Sequence, residues 1–101
     1  MNNLDEFVYI NRLLDLYGKL LTSSQAEIMN DYYVCNLSLS EISDLRGISR
    51  TAVSDALKKG RQKLENYEAK LNLAKTFDSL AEKEENKVLI EQIEERIKNG
   101  I

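Results

Sequence analysis

The chain has 101 residues, 31% of them charged and 43% hydrophobic, with a formal net charge of −3. That suits one soluble domain with a modest core, and no Pro with only four Gly favours a nearly all-helical chain. No His and one Cys exclude a structural zinc site and an internal disulfide, and no apolar run approaches the roughly 20 residues needed to cross a bilayer.

The first helix is expected to open at Asn3, with Glu6 as capping partner. Phe7, Ile10, Leu14, Tyr17 and Leu21 then fall at steps of 3, 4, 3 and 4 and make one apolar stripe, widened by Leu13, Leu16 and Leu20. Gly18 reads as an interior weak spot that marks close packing. The early acids of M-N-N-L-D-E-F are unlike the basic start of a signal peptide. A second helix starts at a capping box, either Thr22 with Gln25 or Ser24 with Glu27. Its apolar positions are Ala26, Ile28, Met29, Tyr32, Tyr33 and Cys35. Cys35 is read as a small buried hydrophobe, and a lone cysteine fits a reducing, cytoplasmic compartment.

Residues 38–57, S-L-S-E-I-S-D-L-R-G-I-S-R-T-A-V-S-D-A-L, have the layout of a helix-turn-helix. Ser38 with Glu41 is a capping box for a short helix over about 39–46. Ile42 and Leu45 supply its buried stripe, and Ser43 is small enough for a second helix to cross closely. Gly47 stands in the tight turn, Ile48 plugs the corner, and Ser49 N-caps the next helix. Val53 and Leu57 point that helix into the core. Ser49, Arg50, Thr51, Ser54, Lys58, Lys59 and Arg61 are left as candidate nucleic-acid contacts.

The charge distribution agrees. Residues 1–45 carry a net of −5, residues 46–64 a net of +5, and residues 65–101 a net of −3. Basic charge concentrated on one helix favours a phosphate-bearing partner, although the overall acidity has the wrong sign for a strong unaided binder. Val53, Leu57, Gly60, Leu64, Tyr67, Leu71 and Ala74 continue a seam at steps of 4, 3, 4, 3, 4 and 3, so the recognition helix should run on through Gly60. Gly60 in that seam suits the close approach of a neighbouring helix.

Thr76 is expected to cap the last helix, and Asn99-Gly100 to end it. Phe77, Ala81 and Val88 fall on one face of that helix, while Leu89, Ile93 and Ile97 fall nearly opposite. Either the helix breaks between Glu82 and Lys87, or it packs on two surfaces. The second option makes Leu89, Ile93 and Ile97 a homodimer interface.

The block from Leu21 to Leu64, with Glu41-Ile42-Ser43, Gly47-Ile48-Ser49-Arg50 and Val53, is similar to region four of bacterial sigma factors. A closer match covers nearly the whole chain: L-D-L-Y-G-K-L-L-T at Leu14–Thr22, Tyr32-Tyr33, Ser38–Ile42, Ser49–Asp55, and L-E-N-Y-E-A-K-L at Leu64–Leu71. These segments resemble the YlxM family of small bacterial helix-turn-helix proteins, encoded beside the signal recognition particle GTPase in Gram-positive bacteria. The resemblance implies a sigma-region-four-like fold and a regulatory role in the signal recognition particle pathway.

The expected architecture is therefore all-α: a helix-turn-helix domain over 1–75, with its motif at 38–58, and a C-terminal packing or dimerisation helix over 76–101. Arg50 would reach a phosphate or a guanine, and Thr51 and Ser54 base edges or phosphates, while Lys58, Lys59 and Arg61 would meet the backbone. Asp55 stands beside this face. Phosphate would repel it, a cytosine amine could donate to it, and its bland role is an ion pair with Lys58 or Lys59. The competing reading is an adaptor that docks on signal recognition particle RNA or protein. No His, no Gly-rich phosphate loop and no Cys–base pair argue against an enzyme, and no cofactor, metal or membrane partner is expected.

Overall fold

The computed structural model describes residues 3–100. Among them six α-helices follow one another: α1 (Asn3–Tyr17), α2 (Ser23–Tyr33), α3 (Leu39–Arg46), α4 (Arg50–Leu71), α5 (Leu73–Leu80) and α6 (Lys87–Lys98). The fold is all-α, with a helix-turn-helix formed by α3 and α4. The expected Asn3 cap rests on a side chain outside the described residues.

The helix starts follow from local chemistry. Thr22 accepts from the Gln25 amide while Gln25 answers the Thr22 amide, which selects the first of the two candidate capping boxes. Ser38 and Glu41 make the same reciprocal pair at 3.0 Å each way. The Ser38 backbone donor holds the Glu41 carboxyl below the usual carboxylate range. Gly47 closes α3 at φ +67, a left-handed conformation that a Cβ would strain.

One core joins all the helices. Ile10, Leu13, Leu16 and Tyr17 of α1 meet Ile28, Met29 and Tyr33 of α2, Ile42 of α3, and Val53, Leu57 and Leu64 of α4, all buried. Ala74, Phe77 and Ile90 extend the same cluster into α5 and α6. Gly60 is where α2 crosses α4, since a Cβ there would lie 2.7 Å from Met29 Sδ and 2.9 Å from its Cγ. The glycine is a packing requirement, and α4 runs through it unbroken.

Several expectations are corrected. Leu45 is 61% exposed and Ile48 is only partly covered, so Ile42, with Leu39 partly buried beside it, anchors α3 in the core. Cys35 lies past the end of α2 and is exposed. Gly18 is not a packing point: α1 ends at Tyr17 and Gly18 starts a 3-10 turn that leaves Leu20 exposed. The seam from Val53 to Ala74 crosses a corner, because Asn72 adopts φ +56 and ends α4. α5 accordingly begins at Leu73, before the expected boundary, with Thr76 inside it. The last helix is broken between α5 and α6. Of its two apolar faces, Phe77 and Ile97 pack on the core, while Val88, Leu89 and Ile93 stay exposed.

α6 packs along α1. Arg12 bridges Glu94 at 2.6 Å and Asp78 at 3.0 Å, and Lys98 lies 3.6 Å from Asp15. Ile90 and Ile97 face the core, so Ile97 belongs to this intramolecular contact. Leu89 and Ile93 remain exposed.

Candidate nucleic-acid interface

α4 has two faces. Val53, Leu57, Gly60 and Leu64 are buried. Thr51, Asp55, Lys58 and Gln62 repeat the same helical spacing on the opposite side and are exposed. Burial of the first row therefore fixes the outward direction of the second. The turn before α4 is held by Ser43, whose hydroxyl donates to the Ile48 carbonyl at 2.5 Å while its own carbonyl accepts from the Ile48 amide at 3.2 Å. Ser49 caps α4, its Oγ accepting from the Ala52 amide at 3.0 Å.

The cations of this segment divide into two sets. Arg50, Lys58 and Lys59 are exposed, Arg50 in the first turn of α4 and the two lysines on its outward side. Arg50 is tethered, its Nη2 donating to Ser40 Oγ on α3 at 3.1 Å, so both helices of the motif position this guanidinium. Lys59 pairs with Asp55 at 3.0 Å across one helical turn, and Lys58 makes no ion pair among the described residues.

The other three cations hold helices together. Arg46 forms a two-point contact with Asp31, Nε–Oδ2 2.8 Å and Nη2–Oδ1 2.9 Å, and reaches Glu27 at 3.2 Å. Asp31 is only 5% exposed while the Arg46 side chain is 32% exposed, so this pair joins α3 to α2 at the edge of the core. Arg61 turns back from the outward face. Its Nη1 donates to Tyr33 Oη at 3.0 Å and Glu6 Oε1 at 3.3 Å. The Tyr33 hydrogen bond is the main reason its pKa is raised. Lys63 donates to Gln25 Oε1 at 3.2 Å. The structure thus leaves Ser49, Arg50, Thr51, Ser54, Lys58 and Lys59 exposed, with Thr51, Lys58 and Lys59 on the outward side of α4, Ser54 at its edge and Arg50 beside α3, and it turns Arg61 back to Tyr33 and Glu6. Its position could have been read from its spacing, four residues after Leu57 and three before Leu64, which borders the buried seam. Ser40 carried no comparable signal.

Among the described residues no group of three or more His, Cys, Asp or Glu is placed to hold a metal ion, and no helix is long and apolar enough to cross a membrane.

Residues 4–100 match the model of the family UPF0122, described as "Putative helix-turn-helix protein, YlxM / p13 like". The chain is similar to the UPF0122 protein of Caldanaerobacter subterraneus subsp. tengcongensis, 45% identical over 93 residues, which is 92% of this chain and 74% of that protein. A relative in Thermoanaerobacter sp. (strain X514) is 44% identical over 93 residues, 91% of this chain and 80% of its own. One in Oceanobacillus iheyensis is 45% identical over 75 residues, 74% of this chain and 71% of its own. No solved structure matches.

Proposed function

Since the chain belongs to the UPF0122 family of YlxM/p13-like helix-turn-helix proteins, we propose that it is a non-enzymatic, cytoplasmic regulatory protein that binds duplex DNA through α4. The observation that carries this reading is the outward face of α4, on which Thr51 and Lys58 project opposite a fully buried apolar row, with Ser54 at its edge and Arg50 exposed in the first turn beside α3. A helix presented in this way fits a major groove, with Arg50 near its N-terminus at the base edges and Lys58 and Lys59 toward the phosphates. Ser40 supports the assignment of Arg50 as the leading contact, because a guanidinium already oriented by a hydrogen bond loses less freedom on binding.

Leu89 and Ile93 extend the proposal to a homodimer. They are 57% and 37% exposed, one turn apart on α6, and offer an apolar contact for a second copy. Two copies of α4 would then read a two-fold symmetric site. A role in the signal recognition particle pathway rests on the family resemblance alone.

The test is a titration of the protein against random-sequence duplex and signal recognition particle RNA at two salt concentrations. Duplex binding that weakens with salt, and falls by about tenfold or more in Arg50→Ala, supports the reading. Absence of duplex binding at low salt, with RNA binding unaffected by Arg50→Ala, overturns it in favour of an adaptor.

A further inference from the structure

We propose that Asp55 is a selectivity residue for the duplex-binding face, with two actions: it withholds Lys59 from sequence-independent phosphate binding, and it accepts from a cytosine amine at a matching site. The proposal rests on the duplex-binding reading of α4.

Asp55 lies in the middle of the outward row, one turn after Thr51 and one turn before Lys58 and Lys59. Its carboxylate bridges Lys59 Nζ at 3.0 Å. With Arg46, Arg61 and Lys63 engaged elsewhere in the fold, the exposed charges left along the first half of α4 are Arg50, Lys58, Lys59 and Asp55. One of three cations is therefore neutralised by a neighbour. A random duplex offers phosphate oxygens, which repel the carboxylate and must compete with it for Lys59. A cytosine in the major groove instead presents an N4 donor that a carboxylate accepts. Contact there would turn Asp55 from an obstacle into a partner and leave Lys59 for the backbone.

The pair is built to be exchanged. Asp55 and Lys59 side chains are 57% and 66% exposed, so water already solvates both and little is lost when the bridge opens. A bridge serving only helix stability would have the same spacing. It would not alter how steeply duplex binding depends on salt.

The experiment compares wild type, Asp55→Ala, Lys59→Ala and the double variant, titrated with random-sequence duplex at about 50 and about 200 mM salt. Alanine at exposed helical positions keeps the helix, and circular dichroism checks each fold. Asp55→Ala is expected to bind random duplex more tightly. Its affinity should fall about threefold more across that salt range than wild type does, the effect of one further neutralised phosphate. Measured against Lys59→Ala, the double variant should gain less than Asp55→Ala gains over wild type, since it lacks the freed lysine. Sites selected from a random pool by wild type should hold a cytosine preference that Asp55→Ala loses.

Equal affinity and equal salt dependence for wild type and Asp55→Ala would overturn the proposal while leaving duplex binding intact. An equal gain with and without Lys59 would also overturn it, since simple repulsion would then be sufficient. Failure of every form to bind duplex would overturn the underlying reading together with this one.

Discussion

Tyr17 on α1 donates its hydroxyl to Glu68 Oε1 on α4 at 2.6 Å, and together they cap the start of α5. Tyr17 Oη accepts from the Leu73 amide at 3.1 Å, Glu68 Oε1 from the Ala74 amide at 3.1 Å, and Glu68 Oε2 from the Lys75 amide at 3.2 Å. Three amides that a helix start leaves without partners are thus satisfied by two side chains from elsewhere in the chain. This explains how α5 begins directly after the left-handed Asn72 with no side-chain cap of its own.

Tyr17→Phe should therefore destabilise the fold by about 1–2 kcal/mol, since it strands the Leu73 amide and takes a donor from Glu68. Urea unfolding checks the size. The pH dependence has a definite sign. Burial, and then the Glu68 hydrogen bond, push the Tyr17 pKa from 10.0 up to about 12. The folded state thus holds its proton more tightly than the unfolded chain. This contribution is complete below pH 10 and is lost as the pH rises through about 12. Phenolate absorbance should show one tyrosine ionising last, and Tyr17→Phe should remove that step.

Gly60→Ala should lower stability in spite of alanine's better helix propensity. The new methyl would meet the buried Met29 side chain near its middle, at Sδ and Cγ, and not at a tip that can swing away. Overpacking costs about 1–3 kcal/mol, against a propensity gain of up to about 1 kcal/mol. A net loss of roughly 1–2 kcal/mol in chemical denaturation is expected. A more stable variant would show that Met29 can repack.

Asp31→Asn should loosen the joint between α2 and α3. The amide cannot reproduce two charge-assisted acceptors for Arg46, and the lost pair should cost about 1–3 kcal/mol. Hydrogen exchange should speed up in α3 before the α1–α4 core responds. Uniform protection across the helices would place the pair's contribution elsewhere.

Leu89→Glu combined with Ile93→Glu should convert a dimer to monomer without unfolding it, because both side chains are exposed within one copy. Light scattering at micromolar concentration reads the mass. A wild-type monomer there would refute the proposed self-association.

Local signals were well expressed in the sequence. The Ser38–Glu41 box, Gly47 and the Ser49 cap each act within a few residues, and the structure has them all. The passage of α4 through Gly60 was legible too, because apolar spacing keeps its phase on both sides. What the sequence hid depends on distant partners. Arg46 and Arg61 look like members of a basic patch until Asp31, Glu27, Glu6 and Tyr33 are brought beside them. The Asn72 corner was obscured in the same way: the seam carries on in phase to Ala74, and the partners that make the corner favourable, Tyr17 and Glu68, lie on other turns or other helices.

The 22 residues of α4 form a single beam about 33 Å long. One end carries Arg50 and the other is fastened at the Tyr17–Glu68 corner, with no joint between. A tilt of about 5° at that corner would move the Arg50 end by about 3 Å, as much as the whole length of a hydrogen bond. The aim of the exposed face is thus tied to the seating of α5 against α1, at the far end of the molecule from anything it would touch.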